Sequence, residues 1–183
     1  MIRIVSGVHK GRKIKAPHKI GNIPTSDRLK EALFNIITVQ YDLNSISVLD
    51  LFSGTGNISY EFASRGTKQI TSVDQHYLAI KFIEQTRQLL DLSIQVVQMN
   101  CFDFIEVCTK KFDIIFADPP YNYTEKSYHQ LIIRIDRMRL LNHGGILIIE
   151  HHVETDLSHI DWFMESRQYG NSRISFFRKK ADR

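Results

Sequence analysis

The tetrad Asp118-Pro119-Pro120-Tyr121 ends an apolar run and has the residue types needed to bind a planar amine. Proline fixes the backbone so that the Pro119 carbonyl can point into a pocket, and its missing N–H cannot compete for the substrate. The Asp118 carboxylate and that carbonyl would then accept both hydrogens of one exocyclic amine and orient its nitrogen for attack. Tyr121 would stack on the ring that carries the amine. A turn carboxylate, a strand stop and a packed Tyr121 are the structural alternatives.

A second motif is a glycine-containing loop that reads Phe52-Ser53-Gly54-Thr55-Gly56. Its glycines leave room for a ligand against the backbone, and the helix that follows presents its N–H groups to an anion. The loop resembles the S-adenosylmethionine (SAM) loop of class I methyltransferases. We expect it to hold the methionine carboxylate of SAM, and Asp50 to accept a hydrogen bond from the ammonium group. A nicotinamide dinucleotide site is disfavoured, because its GxGxxG fingerprint needs a third glycine where this chain has Ser59.

Four positions at the ends of the next two predicted strands complete the expected cofactor-binding set: Asp74, Gln75, Asn100 and Cys101. Asp74 comes about 20 residues after the glycine loop, which suits a carboxylate that accepts both ribose hydroxyls of SAM or of a nucleotide. Asn100 could contact the edge of adenine. Cys101 and Cys108 form neither a CxxC pair nor a set of metal ligands, and their apolar neighbours could bury both.

Short apolar runs alternate with amphipathic segments from residue 47 onward, which predicts an α/β fold with a mainly parallel sheet. The predicted strands are Ser47–Leu51, Gln69–Val73, Ile94–Gln98, Phe112–Ala117 and Gly145–Glu150. The predicted helices cover residues 57–65, 76–90, 101–109 and 125–139. Gly170-Asn171 separates two further β segments, Phe163–Tyr169 and Arg173–Arg178, and predicts an antiparallel hairpin. This pattern resembles the Rossmann-like class I methyltransferase fold, in which ligands bind beyond the carboxyl ends of the strands.

The first 40 residues differ from the rest and are predicted to form a basic extension, followed by a methyltransferase domain at residues 41–183. A small hairpin over residues 2–5 and 11–15 should precede a helix that Thr25 or Ser26 caps and whose apolar stripe docks on the main domain. The first acidic residue is Asp27, after six cations: Arg3, Lys10, Arg12, Lys13, Lys15 and Lys19. Clustered cations bind polyphosphates in a salt-dependent way, although a solvated basic face is the alternative.

The overall composition fits an ordinary globular protein: 183 residues, 43% hydrophobic, with a formal net charge of +4. No apolar stretch approaches the roughly 18 residues of a membrane span, and the first residues lack the pattern of a signal peptide, so a cytoplasmic location is expected. His143, His151 and His152 flank the fifth predicted strand, but no carboxylate stands at metal-ligand spacing from them. No metal is therefore expected.

The chain resembles the RsmD family of 16S ribosomal RNA (guanine-N2) methyltransferases nearly from end to end. Besides the two motifs, the resemblance rests on three stretches: Arg3–Gly7 with Lys10–Lys13, Pro24–Arg28 leading into Glu31–Ile36, and Tyr169-Gly170 before Ser175–Phe177. It implies SAM as the methyl donor, a guanine of 16S rRNA in the assembling small ribosomal subunit as the acceptor, and a monomeric enzyme. It also implies RNA contacts by Arg3, Lys10, Arg12, Lys13 and Arg28. One departure is Ile23, where relatives commonly have arginine.

Other functions stay open at the level of sequence. The Asp-Pro-Pro-Tyr tetrad serves adenine N6 as well as guanine N2, so an adenine-N6 methyltransferase of DNA or RNA is the nearest alternative. A non-catalytic rRNA-binding assembly factor could keep the same fold. Glutamine methylation of proteins is disfavoured, because Asn takes the place of Asp118 in the tetrad typical of that reaction. Glu125, Lys126 and Tyr128 could form a lid over a bound base, and a solvated helix start is the equal alternative.

Overall fold

The fold is built on a seven-stranded sheet with helices on both faces, in a computed structural model that describes residues 1–17, 20 and 25–179. The strands are β1 (Ile2–Arg3), β2 (Lys13–Ile14), β3 (Ser47–Leu51), β4 (Gln69–Asp74), β5 (Ile94–Gln98), β6 (Phe112–Ala117), β7 (Leu141–His152), β8 (Phe163–Tyr169) and β9 (Ser172–Phe177). The helices are α1 (Asp27–Gln40), α2 (Asn57–Ser64), α3 (Tyr77–Leu89), α4 (Cys101–Val107) and α5 (Glu125–Arg137). Within the described ranges, no helix is long and apolar enough to cross a membrane.

The strand order of the large sheet is β5-β4-β3-β6-β7-β9-β8. Strands β3 to β7 are parallel, whereas β9 pairs antiparallel with both β7 and β8. The chain runs from β3 to β4 and β5 on one side and returns to β6 on the other, so the strand order reverses beside β3. Ligands bind beyond the carboxyl ends of the strands at such a reversal. The predicted parallel sheet with a C-terminal antiparallel hairpin is confirmed, and both sequence motifs lie at this edge.

Successive residues of the parallel strands enter two hydrophobic cores on opposite faces of the sheet. Val48 and Ile114 pack with residues of α1, α2 and α3 on one face. Leu49 and Ile115 pack with residues of α4 and α5 on the other. Because helices cover both faces, these strands need apolar residues at every position, which explains the continuous apolar runs in the sequence.

Strand β7 begins four residues earlier and ends two residues later than the predicted strand Gly145–Glu150. Its first residue, Leu141, pairs with Phe112 before the register shifts. An exposed His143 and two glycines follow, so the apolar pattern starts only after the irregular part of the strand. The missed residues belong to the sheet through backbone pairing, which composition does not reveal.

The N-terminal extension packs directly on the main sheet. Strands β1 and β2 pair antiparallel, and Ile2 and Ile4 share the core that contains β3 and α1. Gly7 approaches the end of α2 so closely that a Cβ would lie 1.9 Å from the Ser64 carbonyl oxygen. The division into residues 1–40 and 41–183 stays a prediction. Lys19, Ile23 and Pro24, together with the last four residues of the chain, lie outside the described residues.

A buried lysine joins the extension to α2. Lys30 is 1% exposed, and its ammonium group donates to the Arg3 carbonyl and to Asn57 Oδ1, the latter at 3.0 Å. It also lies 3.1 Å from Glu61 Oε1, which accepts the Val5 N–H at 2.7 Å. A buried charge is tolerated only when it is paired and hydrogen-bonded. This network therefore fixes α2, the helix that follows the glycine loop, against the extension.

Candidate active site

Four carboxylates stand at or next to the carboxyl ends of the parallel strands: Asp50 on β3, Asp74 on β4, Asp118 after β6 and Glu150 on β7. Parallel strands end at the same edge of a sheet, so the fold brings these side chains together. Burial raises the pKa of Asp118 and of Asp50, and neighbouring charges add to it: those of Glu150 and Asp50 for Asp118, and that of Asp74 for Asp50. The sequence predicted three of the four. Glu150 has the same sequence context, a carboxylate at the end of a predicted apolar strand, but it was not predicted as a site residue.

Asp118 is the carboxylate best placed to receive an external donor. Its side chain is half-buried and accepts no hydrogen bond from any described residue. Burial raises the pKa of Asp118 well above its ordinary value, and the negative charges of Glu150 and Asp50 add to that rise. A largely desolvated carboxylate without a partner is costly, so a ligand that donates N–H groups to it would be favoured.

The rest of the tetrad also leaves its binding groups available. Pro119 is buried, and its carbonyl accepts no hydrogen bond within the described part of the chain. The Pro120 carbonyl instead accepts the Tyr123 N–H at 2.9 Å, which closes a turn. Tyr121 is 74% exposed, so the alternative that it packs in the core is wrong. The tetrad thus presents an unpaired carboxylate, an unpaired carbonyl and an exposed ring.

The glycine loop adopts backbone conformations that require small residues. Gly56 has a φ of 78°, and a Cβ there would lie 2.8 Å from Cζ of Tyr60 and 2.9 Å from Cγ1 of Ile83. Phe52 has a positive φ of 58° despite its side chain. The Ser53 N–H and hydroxyl both donate to the Val73 carbonyl, at 3.1 and 3.2 Å. The loop is therefore held against β4, with the start of α2 directly behind it.

Asp50 is 2% exposed and hydrogen-bonded from within the protein. The Ser59 hydroxyl donates to its Oδ2 at 2.6 Å and also lies 2.6 Å from the Ser72 hydroxyl. Burial raises the pKa of Asp50 to about 7, against the lowering effect of Ser59. Ser59 occupies the position of the third glycine in a dinucleotide fingerprint, where it serves here as a partner for Asp50. The sequence shows the departure from glycine but not this role.

Asp74, at the end of β4, accepts one hydrogen bond from the glycine loop and one from the residue that precedes α3. Its Oδ2 accepts the Gly54 N–H at 2.8 Å, and its Oδ1 accepts the His76 N–H at 2.9 Å. A carboxylate has about four acceptor sites, so capacity remains for ribose hydroxyls.

A cavity of about 20 Å³ separates the loop from the amine site and is lined by Asp50, Gly54 and Asp118, among others. That space holds about one water molecule.

The three remaining cofactor candidates lie beside the loop in different environments. Gln75 and Asn100 are exposed, and the Asn100 amide donates to Gln75 Oε1 at 3.1 Å. Asn100 also caps α4 by accepting the Phe102 N–H at 2.9 Å. Cys101 is buried, and its Sγ accepts the Phe52 N–H at 3.3 Å. Burial raises the pKa of the Cys101 thiol to about 12, so the thiol supports the loop and is not reactive.

A row of aromatic rings links the loop to β7. Phe52 packs edge-on against Tyr123, Tyr123 against Tyr128, and Tyr128 against His151, with centroids 5.6, 5.1 and 6.0 Å apart. Tyr128 is 3% exposed, so it is a core residue and forms neither a lid over the base nor a solvated helix start. Tyr123 was missed because nothing in its sequence context separates it from an ordinary loop aromatic.

The cations of the extension lie apart from the amine site. Arg3, Lys10, Arg12, Lys13 and Arg28 are all exposed, and none of them lines the cavity beside Asp118. Arg3 forms an ion pair with Asp27 at 2.6 Å. Arg12 and Lys13 line a separate cavity of about 300 Å³ against α3. The structure therefore presents these residues as a basic surface and leaves their RNA contacts a prediction.

The histidines at the end of β7 do not form a metal site. His151 is buried, its Nε2 lies 2.7 Å from the Ser175 hydroxyl, and burial lowers its pKa. Among the described residues, no group of three or more His, Cys, Asp or Glu side chains is arranged to hold a metal ion. The expected absence of a metal requirement stays a prediction.

Comparison with known proteins places this arrangement in a family. The family model described as conserved hypothetical protein 95 matches residues 2–178. The chain belongs to this family, the RsmD family. It is 31% identical to the provisionally named rRNA methyltransferase YlbH of Bacillus subtilis, over 98% of this chain and all of YlbH. It is also 31% identical to ribosomal RNA small subunit methyltransferase D of Haemophilus influenzae, over 67% of this chain and 65% of that protein.

Solved structures support the fold of this RsmD-family chain. A provisionally assigned methyltransferase, yhhF from Escherichia coli, superimposes with a TM-score of 0.86 at 24% identity and covers 99% of both chains. Other structures with this fold contain AdoMet or its demethylated product SAH. The fold is that of the SAM-dependent methyltransferases, and SAM stays the cofactor expected from the sequence. Its expected contacts fit the residues present, since the glycine loop and the Asp50 and Asp74 carboxylates adjoin one edge of the sheet.

Proposed function

We propose that this SAM-dependent methyltransferase acts on ribosomal RNA and transfers the methyl group to the exocyclic N2 amine of a guanine in 16S rRNA. One observation carries the proposal: the Asp118 carboxylate, which accepts no hydrogen bond from a described residue, lines a small cavity together with the glycine loop, and the equally unpaired Pro119 carbonyl follows it in the chain. Two acceptors in that position match the two hydrogens of an exocyclic amine. The name of the H. influenzae relative supports ribosomal RNA of the small subunit as the acceptor.

The residues of the site divide the work of the reaction. Asp50 and the loop residues Phe52, Ser53, Gly54 and Gly56 hold the methionine part of SAM, Asp74 accepts the ribose hydroxyls, and Gln75, Asn100 and Cys101 border the adenine. SAM supplies a sulfonium methyl group, so the protein has mainly to hold nitrogen and methyl in line and about 3–3.5 Å apart. Asp118 and the Pro119 carbonyl orient the amine, with Pro120 fixing the turn. Tyr121 stacks on the flipped base.

Asp118 also has a use after the methyl group has moved. Methylation leaves the nitrogen with a positive charge and one hydrogen too many, and that proton must leave. The raised pKa of Asp118, caused by burial and by the charges of Glu150 and Asp50, makes it a better proton acceptor than an ordinary carboxylate. Asp118 thus orients the amine first and takes its proton second.

The rest of the proposal concerns the partner. The exposed cations Arg3, Lys10, Arg12, Lys13 and Arg28 contact phosphates of the RNA and provide salt-dependent affinity that does not read sequence. The substrate is 16S rRNA in an assembling small subunit, the enzyme acts as a monomer without a metal, and its location is the cytoplasm.

Methyl transfer with product analysis tests the proposal. Labelled SAM is incubated with the protein and with small subunits from a strain that lacks this enzyme, free 16S rRNA, or duplex DNA. Nucleoside analysis and mapping then identify the modified base and its position. N2-methylguanine in subunit-derived RNA is the expected product. N6-methyladenine would keep the chemistry and overturn the substrate, whereas SAM binding without transfer to any acceptor would favour an assembly factor.

A further inference from the structure

Glu150 is a buried carboxylate to which the reaction described above assigns no contact with the substrate. It lies on β7, the strand next to β6, and register pairs Ala117 with Ile149. Asp118, the first residue after β6, and Glu150 on β7 follow this last register pair, and neighbouring strands lie about 4.8 Å apart, so the two residues are neighbours at the end of the sheet. Alternation along the strands directs both side chains to the face opposite that of Ala117 and Ile149.

The surroundings of Glu150 hold it towards the amine site. The Thr25 hydroxyl donates to its Oε2 at 2.9 Å, and Thr25 lines the same cavity as Asp118. Both carboxylates act on the ring beside them, since Asp118 and Glu150 each raise the pKa of Tyr121 after the effect of burial. Hydrogen bonds from Thr25 and Ser172 thus fix the orientation of Glu150 beside Asp118, and a carboxylate has about four acceptor sites, so capacity remains for a further donor.

Two neighbouring buried carboxylates fit one kind of base edge. Guanine carries the donors N1–H and N2–H₂ side by side, whereas adenine carries an acceptor, N1, beside its N6 amine. With the N2 amine on Asp118, guanine would place N1–H toward the next strand. Adenine would instead place a lone pair against a carboxylate, which leaves a buried acceptor unpaired.

We propose that Glu150 accepts the N1–H of the target guanine and thereby sets the preference for guanine over bases without that hydrogen. The inference rests on the proposed function, because it names a second contact to the same base. It makes Glu150 a specificity-determining residue of the site, with Thr25 as the residue that positions it.

The test uses a base that keeps the reacting amine but lacks N1–H. Small-subunit RNA is prepared with either guanine or 2-aminopurine at the mapped position, and kcat/KM for methyl transfer is measured for both. The wild-type protein should prefer guanine at least tenfold, because a site built for a hydrogen bond rejects the analogue that cannot form it. Glu150→Gln should shrink that preference at least tenfold, since its amide can donate to the N1 lone pair of 2-aminopurine.

Controls separate this role from a structural one. Glu154→Gln makes the same change at an exposed residue four positions further along and should leave the preference at the wild-type value. SAM affinity and thermal unfolding of each variant report whether the fold is intact. If Glu150→Gln does not fold, Glu150→Asp withdraws the carboxylate by one methylene and should shrink the preference as well.

The outcomes are distinguishable. An unchanged preference in a folded variant whose activity falls equally on both substrates would overturn the role of Glu150 and reduce it to a structural partner of Thr25. That result leaves the proposed function standing, because wild-type transfer to guanine is measured in the same experiment. Absence of N2-methylguanine in the wild-type arm would overturn both.

Discussion

The Asp118 carboxylate combines burial, like-charged neighbours and the absence of a hydrogen-bond partner among the described residues, which is a costly combination for a purely structural residue. Groups with strongly shifted pKa values concentrate at functional sites. This free-energy cost favours ligand binding, because a carboxylate that is already desolvated binds an incoming amine without first losing water.

Replacement of Asp118 by alanine should therefore abolish turnover and spare the cofactor site. We expect Asp118→Ala to lower kcat for methyl transfer by at least about 100-fold, since it removes one of two groups that orient the amine. SAM affinity, measured by calorimetry, should stay within about threefold of the wild-type value. Asp161→Ala, at an exposed position, is the matched control. Near-normal turnover of the Asp118 variant would remove this residue from the mechanism.

Asp50 predicts how stability depends on pH. Its folded-state pKa of about 7 exceeds the unfolded value of about 3.9, so between these values the folded protein keeps a proton that the unfolded chain releases. The free energy of unfolding should fall as pH rises through this window and level off above it. Asp50→Asn cannot titrate, so its urea-unfolding free energy should fall by less between pH 5 and pH 8. If the free energy of unfolding changed with pH by the same amount in both proteins, the raised pKa of Asp50 would be contradicted.

Individual residues were predictable from the sequence when a local rule applied to them. Asp118 and Asp74 follow apolar runs, and their strands end at the edge where ligands bind. The partner of Glu150 could not be predicted in the same way, because Thr25 precedes it by 125 residues and only the folded chain brings the two together. Ser59 likewise is recognisable in the sequence only as a departure from the dinucleotide fingerprint, because its hydrogen bond to Asp50 forms only in the folded chain.

At the scale of elements, the turn from β3 into α2 depends on the absence of a side chain at Gly56. Ser53 accepts the Gly56 N–H at 2.7 Å through its carbonyl, and the first turn of α2 starts immediately afterwards. The turn is tight because the Tyr60 and Ile83 side chains close in on the backbone. The same tightness leaves α2 with its N–H groups directed at the cofactor loop.

Gly56→Ala should destabilise the protein and weaken SAM binding. Its methyl group would collide with Tyr60 and Ile83 and add to the strain of a positive φ, for an expected loss of about 2 kcal/mol or more. Gly170→Ala is the matched control, because its φ of 62° is also positive but no atom lies within 4 Å of its Cβ position. We expect the control to lose about 1 kcal/mol and to keep its SAM affinity. Chemical denaturation and calorimetry measure both effects, and equal losses would exclude a steric role for Gly56.

Element types were more predictable than element lengths. The strands of the parallel sheet had clear apolar runs, and the helices between them had the expected period. The early start of β7 was not predictable, because its first residues join the sheet by backbone pairing and a register shift. Strands β1 and β2 are only two residues each, so the alternating pattern over residues 2–5 and 11–15 predicted a longer hairpin than the structure forms.

At the scale of the whole molecule, the exposed cations of the extension do not line the cavity beside Asp118, so RNA affinity and chemistry should be separable. Arg12→Glu should weaken binding to 16S rRNA and reduce the slope of log K against log salt by about 1, because a phosphate contact is lost. Arg167→Glu changes the charge equally on β8, at the opposite edge of the sheet from α3, and should have little effect. An unchanged salt slope in Arg12→Glu would remove that residue from the interface.

The buried pair of Lys30 and Glu61 has a consequence for how such chains can diverge. Glu61 is fully buried, and it receives a cation and the Val5 N–H from the extension. An extension transplanted from a relative would bring its own lysine or none, while the recipient helix keeps its anion. A graft without that lysine leaves the Oε1 side of Glu61 without a cation, because Arg65 on the same helix pairs with Oε2. Residues 30 and 61 should therefore be inherited together, and a stable chimera should exchange the extension and α2 as one piece.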